Sequence, residues 1–221
     1  MYMSRIALNR RRRGAMKLLT NRHAMHAAVM SSFAPGTETT TDDGRVLWRV
    51  DRDGEELNLL IISPARPCLV HIAEQAGWTT ENTWATRNYA PFLASIERGG
   101  RYLFRMVGNP THTLSDGRGK RVVAHRTVEH QRNWLIGKGA LDGFEVAASS
   151  ADGGALALEL SERSVETFRR QDRTVHLTTT RFDGELLVSD PDALRRALTH
   201  GVGRGKGYGC GLITLLPKES A

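Results

Sequence analysis

An eleven-residue stretch near the C-terminus combines glycines and basic residues in a pattern that could bind a polyanion. It reads Gly-Val-Gly-Arg-Gly-Lys-Gly-Tyr-Gly-Cys-Gly from residue 201 to residue 211. Glycine lets backbone amides approach a phosphate closely, and the two basic side chains add positive charge. One or two glycines suffice for a tight turn, so this density favours contact with a ligand backbone. The predicted binding residues in the loop are Gly201, Gly203, Arg204, Lys206, Gly207, Gly209 and Gly211.

The order of elements around this loop argues against a nucleotide-cofactor fold. In a dinucleotide-binding fold the glycine loop leaves a strand and opens a helix. Here the loop follows a predicted helix, residues 191 to 200, and enters a predicted strand, residues 212 to 216. The P-loop spacing that ends in Gly-Lys-Ser/Thr is also missing. We therefore expect no cofactor.

Charge gives a second indication of a polyanionic partner. The formal net charge is +7 and the isoelectric point is near 9.9. The basic residues form three clusters, at Arg10 to Arg13, at Arg118, Lys120 and Arg121, and at Arg169, Arg170 and Arg173. Such patches suit nucleic acid, but a solvated surface that favours lysine and arginine explains the charge equally well.

Composition narrows the class of protein further. No apolar run approaches the roughly 20 residues that span a bilayer, and the N-terminus lacks the basic start and apolar core of a secretory signal. Cys68 and Cys210 are far apart, without zinc-site spacing or disulfide density. We expect a cytoplasmic protein with no membrane partner and with two reduced, structural cysteines.

Hydrophobic periodicity predicts the elements of the first half. Residues 2 to 8 alternate as a strand, and Asn21 caps a helix from about residue 22 to residue 33. Asp53-Gly54 predicts a hairpin between strands 46 to 52 and 57 to 63. Residues 68 to 73 read as a short strand. Residues 77 to 90 read as an irregular connection.

The second half shows a similar mixture of strands and helices. Strands are predicted at residues 100 to 107 and 121 to 124, and a helix at residues 126 to 138. Further strands follow to residue 188, with Asp183-Gly184 as a hairpin turn. Asp190 then caps a helix that begins with proline.

The repeated strand and helix pattern predicts an α+β fold. The economical architecture is two tandem ferredoxin-like (RRM-like) domains, one at residues 1 to 88 and the other at residues 98 to 221.

Residues 190 to 217, in which a helix precedes the glycine loop and Leu-Ile-Thr-Leu-Leu-Pro, resemble the C-terminal signature of the CasE family of CRISPR RNA-processing endoribonucleases. The resemblance extends to the opening residues 1 to 9, to Val-Leu-Trp-Arg at 46 to 49, and to Phe-Arg-Met-Val-Gly-Asn-Pro-Thr at 104 to 111. It also covers Gly-Lys-Arg at 119 to 121 and Phe-Asp-Gly at 182 to 184.

The resemblance implies a function and a set of partners. The family has tandem ferredoxin-like domains, cleaves the repeat hairpin of CRISPR precursor RNA, and stays on its product with other subunits of a Cascade-type complex. The motif Asn21-x-x-x-Met25-His26 places the family's catalytic histidine at His26, and His23 stands where members often have tyrosine. Arg169 and Arg170 match a basic segment that touches the RNA stem in the family, but a surface ion-pairing strand with Glu166 and Asp172 as neighbours explains them equally well.

Imidazole chemistry agrees with a metal-independent ribonuclease. With an ordinary pKa of about 6.5, a histidine can take a proton from the 2′-hydroxyl or give one to the departing 5′-oxygen. His23 and His26 could instead pack structurally or bind a metal, but no cysteine or acidic residue is spaced to complete a metal site. The expected catalytic residues are His26 and His23. The alternative is a non-catalytic RNA-binding scaffold of the same fold.

Overall fold

The computed structural model of the chain describes residues 1–78, 84–117, 119–148, 154–170 and 173–218. The elements of the first half are β1 Tyr2–Leu8, α1 Arg13–Leu19, α2 Arg22–Met30, β2 Thr40–Thr41, β3 Gly44–Arg45, β4 Leu47–Asp53, β5 Glu56–Ser63, α3 Val70–Ala76, β6 Trp84–Asn88 and α4 Ala90–Ala94. Those of the second half are β7 Arg101–Gly108, β8 Thr111–Asp116, β9 Gly119–Ala124, α5 Val128–Leu141, β10 Phe144–Val146, β11 Leu158–Arg170, β12 Arg173–Val188, α6 Pro191–His200 and β13 Ile213–Pro217.

Each half contains an antiparallel sheet with the ferredoxin-like strand order. The first sheet has the order β4-β5-β1-β6, and the second has the order β10-β12-β7-β13. Helices connect the strands in the sequence β-α-β-β-α-β in both halves. The predicted tandem ferredoxin-like architecture is therefore confirmed. The predicted boundary between residues 88 and 98 contains α4 and stays a prediction.

Each sheet buries one face against its helices. In β1, Ser4, Ile6 and Leu8 point toward the helices, as the alternation predicted. Their neighbours in the first core come from α1, α2 and α3. The second core lies between the second sheet and the helices α5 and α6. Two predicted caps are confirmed. Asn21 Oδ1 accepts hydrogen bonds from two backbone amides of α2, and Asp190 Oδ1 accepts hydrogen bonds from two backbone amides of α6.

Two predictions for the first half were wrong, and one helix was not predicted. Residues 68 to 73 are not a strand, because α3 begins at Val70. Its buried Ile72, Ala73 and Ala76, with Leu69 at the N-cap, form a helical stripe that a short apolar run concealed. The helix α1 was missed because its arginine-rich start hides a stripe with only two buried residues. The supposedly irregular stretch contains β6, a largely exposed edge strand that pairs with β1.

The predicted hairpin turn at Asp183-Gly184 was also wrong. Both residues lie inside β12, where Gly184 pairs with Phe104 of β7 and with Leu158 of β11. A Cβ atom at Gly184 would lie 2.3 Å from the Ala157 carbonyl oxygen, so glycine serves close strand approach there and not a turn. The long hairpin instead joins β11 to β12, and its outermost pair is Arg170 with Arg173.

A buried arginine holds the two halves together. The Arg49 side chain is only 1% exposed, and its guanidinium forms a bidentate pair with Asp51 at 2.5 and 2.7 Å. It also donates to the Arg105 carbonyl of β7 at 2.6 Å and to the Leu212 carbonyl at 2.9 Å. A small apolar cluster of Leu47, Ile62, Tyr89 and Leu212 packs beside it. Arg49 thus connects the first sheet to the second.

Arg49→Ala should lower the free energy of unfolding by about 3–5 kcal/mol, because it leaves Asp51 and two carbonyls without their buried donor. The measurement is the midpoint of urea denaturation. Arg52→Ala is the matched control, since Arg52 lies exposed on the same strand. Equal midpoints for the two variants would contradict the role given to Arg49.

Candidate active site

His26 lies where the first half meets the glycine loop of the second half. It is half-buried on α2, and the indole nitrogen of Trp48 donates a hydrogen bond to its Nδ1 at 3.4 Å. On the other side of the ring, a Cβ atom placed on Gly207 would lie 3.6 Å from Nε2. The Nε2 edge of the imidazole therefore faces a loop position that carries no side chain.

His23 lies in the first turn of the same helix and is exposed. It lines a pocket of about 470 Å³ between the start of α2 and the strand β11. Phe168 and Thr167 of β11 form the opposite wall of this pocket. The two histidines thus lie one helical turn apart, at a junction that both halves build.

Arg22 joins the three segments of this junction. Its guanidinium forms a bidentate pair with Glu166 of β11, at 2.8 to 3.0 Å. The same side chain donates to the Tyr208 carbonyl of the glycine loop at 2.7 Å. The Tyr208 ring in turn meets the Phe168 ring edge to face, with centroids 5.0 Å apart. The start of α2, the long hairpin and the loop are therefore fixed relative to one another.

Most of the loop glycines are required by the protein's own packing. Left-handed φ angles occur at Gly201, Gly203, Gly205, Gly209 and Gly211. A Cβ atom would lie 2.6 Å from the Trp48 ring at Gly209 and 2.4 Å from the Val202 carbonyl oxygen at Gly211. Gly207 differs, because its φ is not left-handed and its nearest neighbours are the ring atoms of His26. Contact between these glycines and RNA stays a prediction.

The two basic residues of the loop have different surroundings. Arg204 is exposed. Lys206 is half-buried and turns back to donate from Nζ to the Gly203 carbonyl at 2.8 Å. Burial lowers the pKa of Lys206, and the positive charge of Arg45 lowers it further. Arg204 is therefore the more accessible cation for a partner.

The other predicted RNA contacts lie on two hairpins. Lys120 and Arg121 are exposed on β9, which pairs with β8 to form a separate two-stranded sheet. Arg169 and Arg170 end β11 and pair with Thr174 and Arg173 of β12. The side chains of Arg169 and Arg170 lie outside the described part of the structure, as does residue Arg118. A role in RNA binding for these residues stays a prediction.

The cysteines and the acidic residues add no further chemistry to the site. Cys210 is buried within the glycine loop, and burial raises the pKa of its thiol to about 12, so it stays a neutral thiol. Cys68 is exposed, contrary to the structural role expected of it. Within the described residues, no three His, Cys, Asp or Glu side chains are grouped to hold a metal ion. Among the helices of those same residues, none is long and apolar enough to cross a membrane.

Sequence reasoning missed three residues that build the junction around the histidines. Trp48 was noticed only as part of a resembling segment, and Glu166 only as a surface ion-pair neighbour of Arg169 and Arg170. Arg22 was not noticed. The pairing of Trp48 with His26 depends on the packing of β4 against α2, and the pairing of Arg22 with Glu166 spans 144 positions. No local pattern could have indicated either contact.

The tandem ferredoxin-like domains, with an imidazole and a basic loop at their junction, define a class of protein suited to a polyanionic ligand. A family model described as CRISPR associated protein matches residues 1–217. The chain belongs to this family.

Known relatives resemble the chain over nearly its whole length. The CRISPR-associated endoribonuclease Cse3 of Thermus thermophilus is 26% identical over an alignment of 229 positions that covers 98% of this chain and 100% of the relative. A solved structure of Thermus thermophilus Cse3 bound to an RNA representing a pre-cleavage complex matches with a TM-score of 0.80 and 23% identity, over 98% of each chain. A chain of a CRISPR RNA-guided surveillance complex in a pre-nicking state matches with a TM-score of 0.69 and 25% identity, over 99% of this chain and 100% of that chain.

Gly209→Ala should lower the free energy of unfolding by about 2 kcal/mol or more, because the methyl group meets Trp48 and the left-handed φ strains alanine. Gly207→Ala is the matched control and should unfold like the wild type, since its Cβ meets only ordinary contacts. Thermal unfolding followed by circular dichroism measures both variants. A Gly207→Ala variant as unstable as Gly209→Ala would show that the loop packs differently.

Proposed function

We propose that this protein is an endoribonuclease that cleaves CRISPR precursor RNA at repeat hairpins and keeps the product within a Cascade-type complex. The observation that carries this proposal is the position of His26, whose Nε2 edge faces Gly207 at the junction of the two halves. A ring nitrogen held at a side-chain-free loop position is what close approach of a phosphate to an acid or base requires.

The proposed chemistry is an attack by the RNA's own 2′-hydroxyl. A base takes the proton from this hydroxyl, and the 2′-oxygen forms a bond to phosphorus while the bond from phosphorus to the 5′-oxygen breaks. An acid gives a proton to the departing 5′-oxygen. The products are a 2′,3′-cyclic phosphate and a 5′-hydroxyl. His26 and His23 supply the two proton-transfer roles, because both lie on α2 one turn apart.

The reaction needs no metal in this proposal. Transition-state charge can be stabilised by fixed positive groups, and Arg204 is an exposed cation on the loop that adjoins His26. Arg22 has a different task, because its bidentate pair with Glu166 uses its guanidinium to hold the junction together. Arg22 is therefore a scaffold for the site and not a free phosphate ligand.

The proposed RNA contacts extend from the junction along the second half. A-form RNA offers a deep, narrow major groove, so recognition would depend on phosphates and shape. Arg169 and Arg170 at the end of the long hairpin, and Lys120 and Arg121 on the β8–β9 hairpin, supply positive charge for these contacts. The net charge of +7 supports an electrostatic contribution.

Retention within a Cascade-type complex rests on similarity to a chain of an RNA-guided surveillance complex across 99% of this chain. We propose that the protein stays on the repeat hairpin after cleavage and joins the other subunits through that RNA. A cytoplasmic site of action fits this role.

A substrate with a single 2′-deoxy nucleotide just upstream of the cut tests the nucleophile. Cleavage of the all-RNA hairpin should persist in excess EDTA, whereas the deoxy hairpin should bind with nearly unchanged affinity and remain uncut, because only the attacking oxygen is lost. Denaturing gels and mass spectrometry of the products measure this. Products with a 5′-phosphate, or activity that only magnesium or manganese restores, would show that water or a metal-bound species attacks.

His26→Ala should lower the cleavage rate by about a hundredfold or more, the usual scale for a lost general acid or base, with little change in RNA affinity. His130→Ala is the matched control, since His130 is an exposed histidine on α5. Single-turnover cleavage and a binding titration separate the two quantities. If both variants cut at the wild-type rate, the active site lies elsewhere. If the wild type binds the hairpin without cutting it, the protein is a scaffold.

A further inference from the structure

The β8–β9 hairpin needs support from outside its own two strands. Among the described residues, these strands form a sheet that pairs with neither of the main sheets. A two-stranded hairpin by itself is at best marginally stable in water. Its apolar side chains add little, because Leu114 is 38% exposed and Val122 is 47% exposed. The contacts at its base, where Pro110 precedes β8 and His125 follows β9, therefore matter most.

Gln131 of α5 supplies one support at this base. The residue is only 1% exposed. Its Nε2 donates to the His125 carbonyl at 2.9 Å, and the His125 backbone N–H donates to the Pro110 carbonyl at 2.9 Å. Its Oε1 accepts from Nε of Arg163 at 3.0 Å. A carbonyl oxygen can only accept and a guanidinium nitrogen can only donate, so these two partners determine the orientation of the amide.

Arg163 reaches Gln131 from an irregular position in β11. The pairing of β11 with β12 shifts between residues 161 and 164, where two residues of β11 stand opposite one residue of β12. This is a β-bulge, which turns a side chain away from its direction in a regular strand. Glu162 in the bulge has a φ of 44°, the one positive φ outside glycine in the described part of the chain. Its carboxylate accepts from Arg181 at 2.7 Å, which helps to hold the strained backbone.

The guanidinium of Arg163 connects the two hairpins. Besides the bond from Nε to Gln131, one of its terminal nitrogens donates to the Arg126 carbonyl. Arg126 directly follows His125 at the base of the β8–β9 hairpin. One side chain of β11 thus holds both α5 and the segment that leaves β9. Two directed hydrogen bonds to different groups fix the guanidinium more closely than one bond would.

An imidazole stack is a second contact at the base of the hairpin. His112 of β8, His125 and His130 of α5 lie in a row, with ring centroids 4.5 and 5.8 Å apart. Ring contacts occur over a wide range of distances and angles, so they are less directional than hydrogen bonds. The stack packs the hairpin against α5. The connection to β11 comes from Arg163 and Gln131.

We propose that Arg163 is a positioning residue that, through Gln131, holds the β8–β9 hairpin beside the β11–β12 hairpin. The two hairpins then present Lys120, Arg121 and the basic end of β11 to an RNA stem as one surface. This inference rests on the proposed function and names how its stem-binding surface is built. A surface that is ordered before binding loses less conformational entropy when the RNA binds, so the bridge contributes to affinity without touching phosphate.

Hydrogen exchange in the RNA-free protein tests the bridge independently of any activity. Gln131→Met keeps the side-chain length but removes the donor and the acceptor, and Arg163→Met removes the guanidinium. In both variants the amides of β8 and β9 should exchange about tenfold faster, because the hairpin opens more easily. Arg132→Met is the matched control, since Arg132 is exposed on α5 directly after Gln131, and it should leave these rates unchanged.

Amides of β1 in the first half are the internal reference, because global unfolding would speed their exchange as well. Wild-type exchange rates for β8 and β9 in Arg163→Met would overturn the proposal and would show that the imidazole stack alone holds the hairpin. Should Gln131→Met fold poorly, Arg163→Met decides the question without it, since Arg163 is exposed.

A double-mutant cycle tests what the bridge does for RNA binding. Arg163→Met should weaken binding of the repeat hairpin RNA about tenfold in the otherwise wild-type protein. In a protein that already carries Lys120→Ala and Arg121→Ala, the same change should weaken binding by less than about twofold, because the cations that the bridge positions are gone. Arg132→Met should change the affinity by the same factor in both proteins.

The outcomes of the cycle separate this inference from the proposed function. If Arg163→Met weakens binding equally in both proteins, Arg163 contacts the RNA directly and the positioning role fails. If the wild type cuts the hairpin while Arg163→Met binds it with unchanged affinity, the inference fails and the endoribonuclease proposal stands. If the wild type binds the hairpin without cutting it and the cycle is non-additive, the endoribonuclease proposal fails and the inference stands.

Discussion

The guanidinium of Arg49 makes the junction between the two sheets possible. It projects from the face of the first sheet opposite the helices. There it pairs with Asp51 and donates hydrogen bonds to a carbonyl of β7 and to a carbonyl just before β13. A buried charge is costly unless it is fully paired, so this geometry tolerates little displacement. Since β4 carries both Arg49 and Trp48 on opposite faces, the strand that anchors the second half also sets the contact with His26.

Most glycines of the loop are needed for close packing inside the protein. Gly209 admits the Trp48 ring and Gly211 admits the Val202 backbone, while Gly207 alone faces His26 at ordinary contact distance. Arg22 fastens the loop to α2 and to β11 through the Tyr208 carbonyl and Glu166. These contacts hold the site rigid, and rigid placement of an acid or base within hydrogen-bonding reach is what proton transfer requires.

In this proposal, RNA binding and RNA cleavage depend on different parts of the protein. The long β11–β12 hairpin and the β8–β9 hairpin carry basic residues away from the junction, where phosphates of a stem could be met. The junction itself offers few free cations, because Arg22 and Arg49 are paired and Lys206 bonds to Gly203. Affinity would therefore arise mainly from the hairpins and Arg204, and reactivity from the imidazoles.

The sequence by itself determined the fold class and the place of the helix that carries His23 and His26. Alternation in β1, the Asn21 and Asp190 caps and the Asp53-Gly54 turn are local signals, and each was confirmed because neighbouring residues create it. The tertiary structure alone decided that Asp183-Gly184 continues a central strand, since close approach of the Ala157 backbone requires glycine there. It alone decided that loop glycines accommodate Trp48 and that His26 accepts from its indole. Those contacts join residues that are at least 22 positions apart in the sequence. A local period or motif does not indicate which distant side chain packs at a given place.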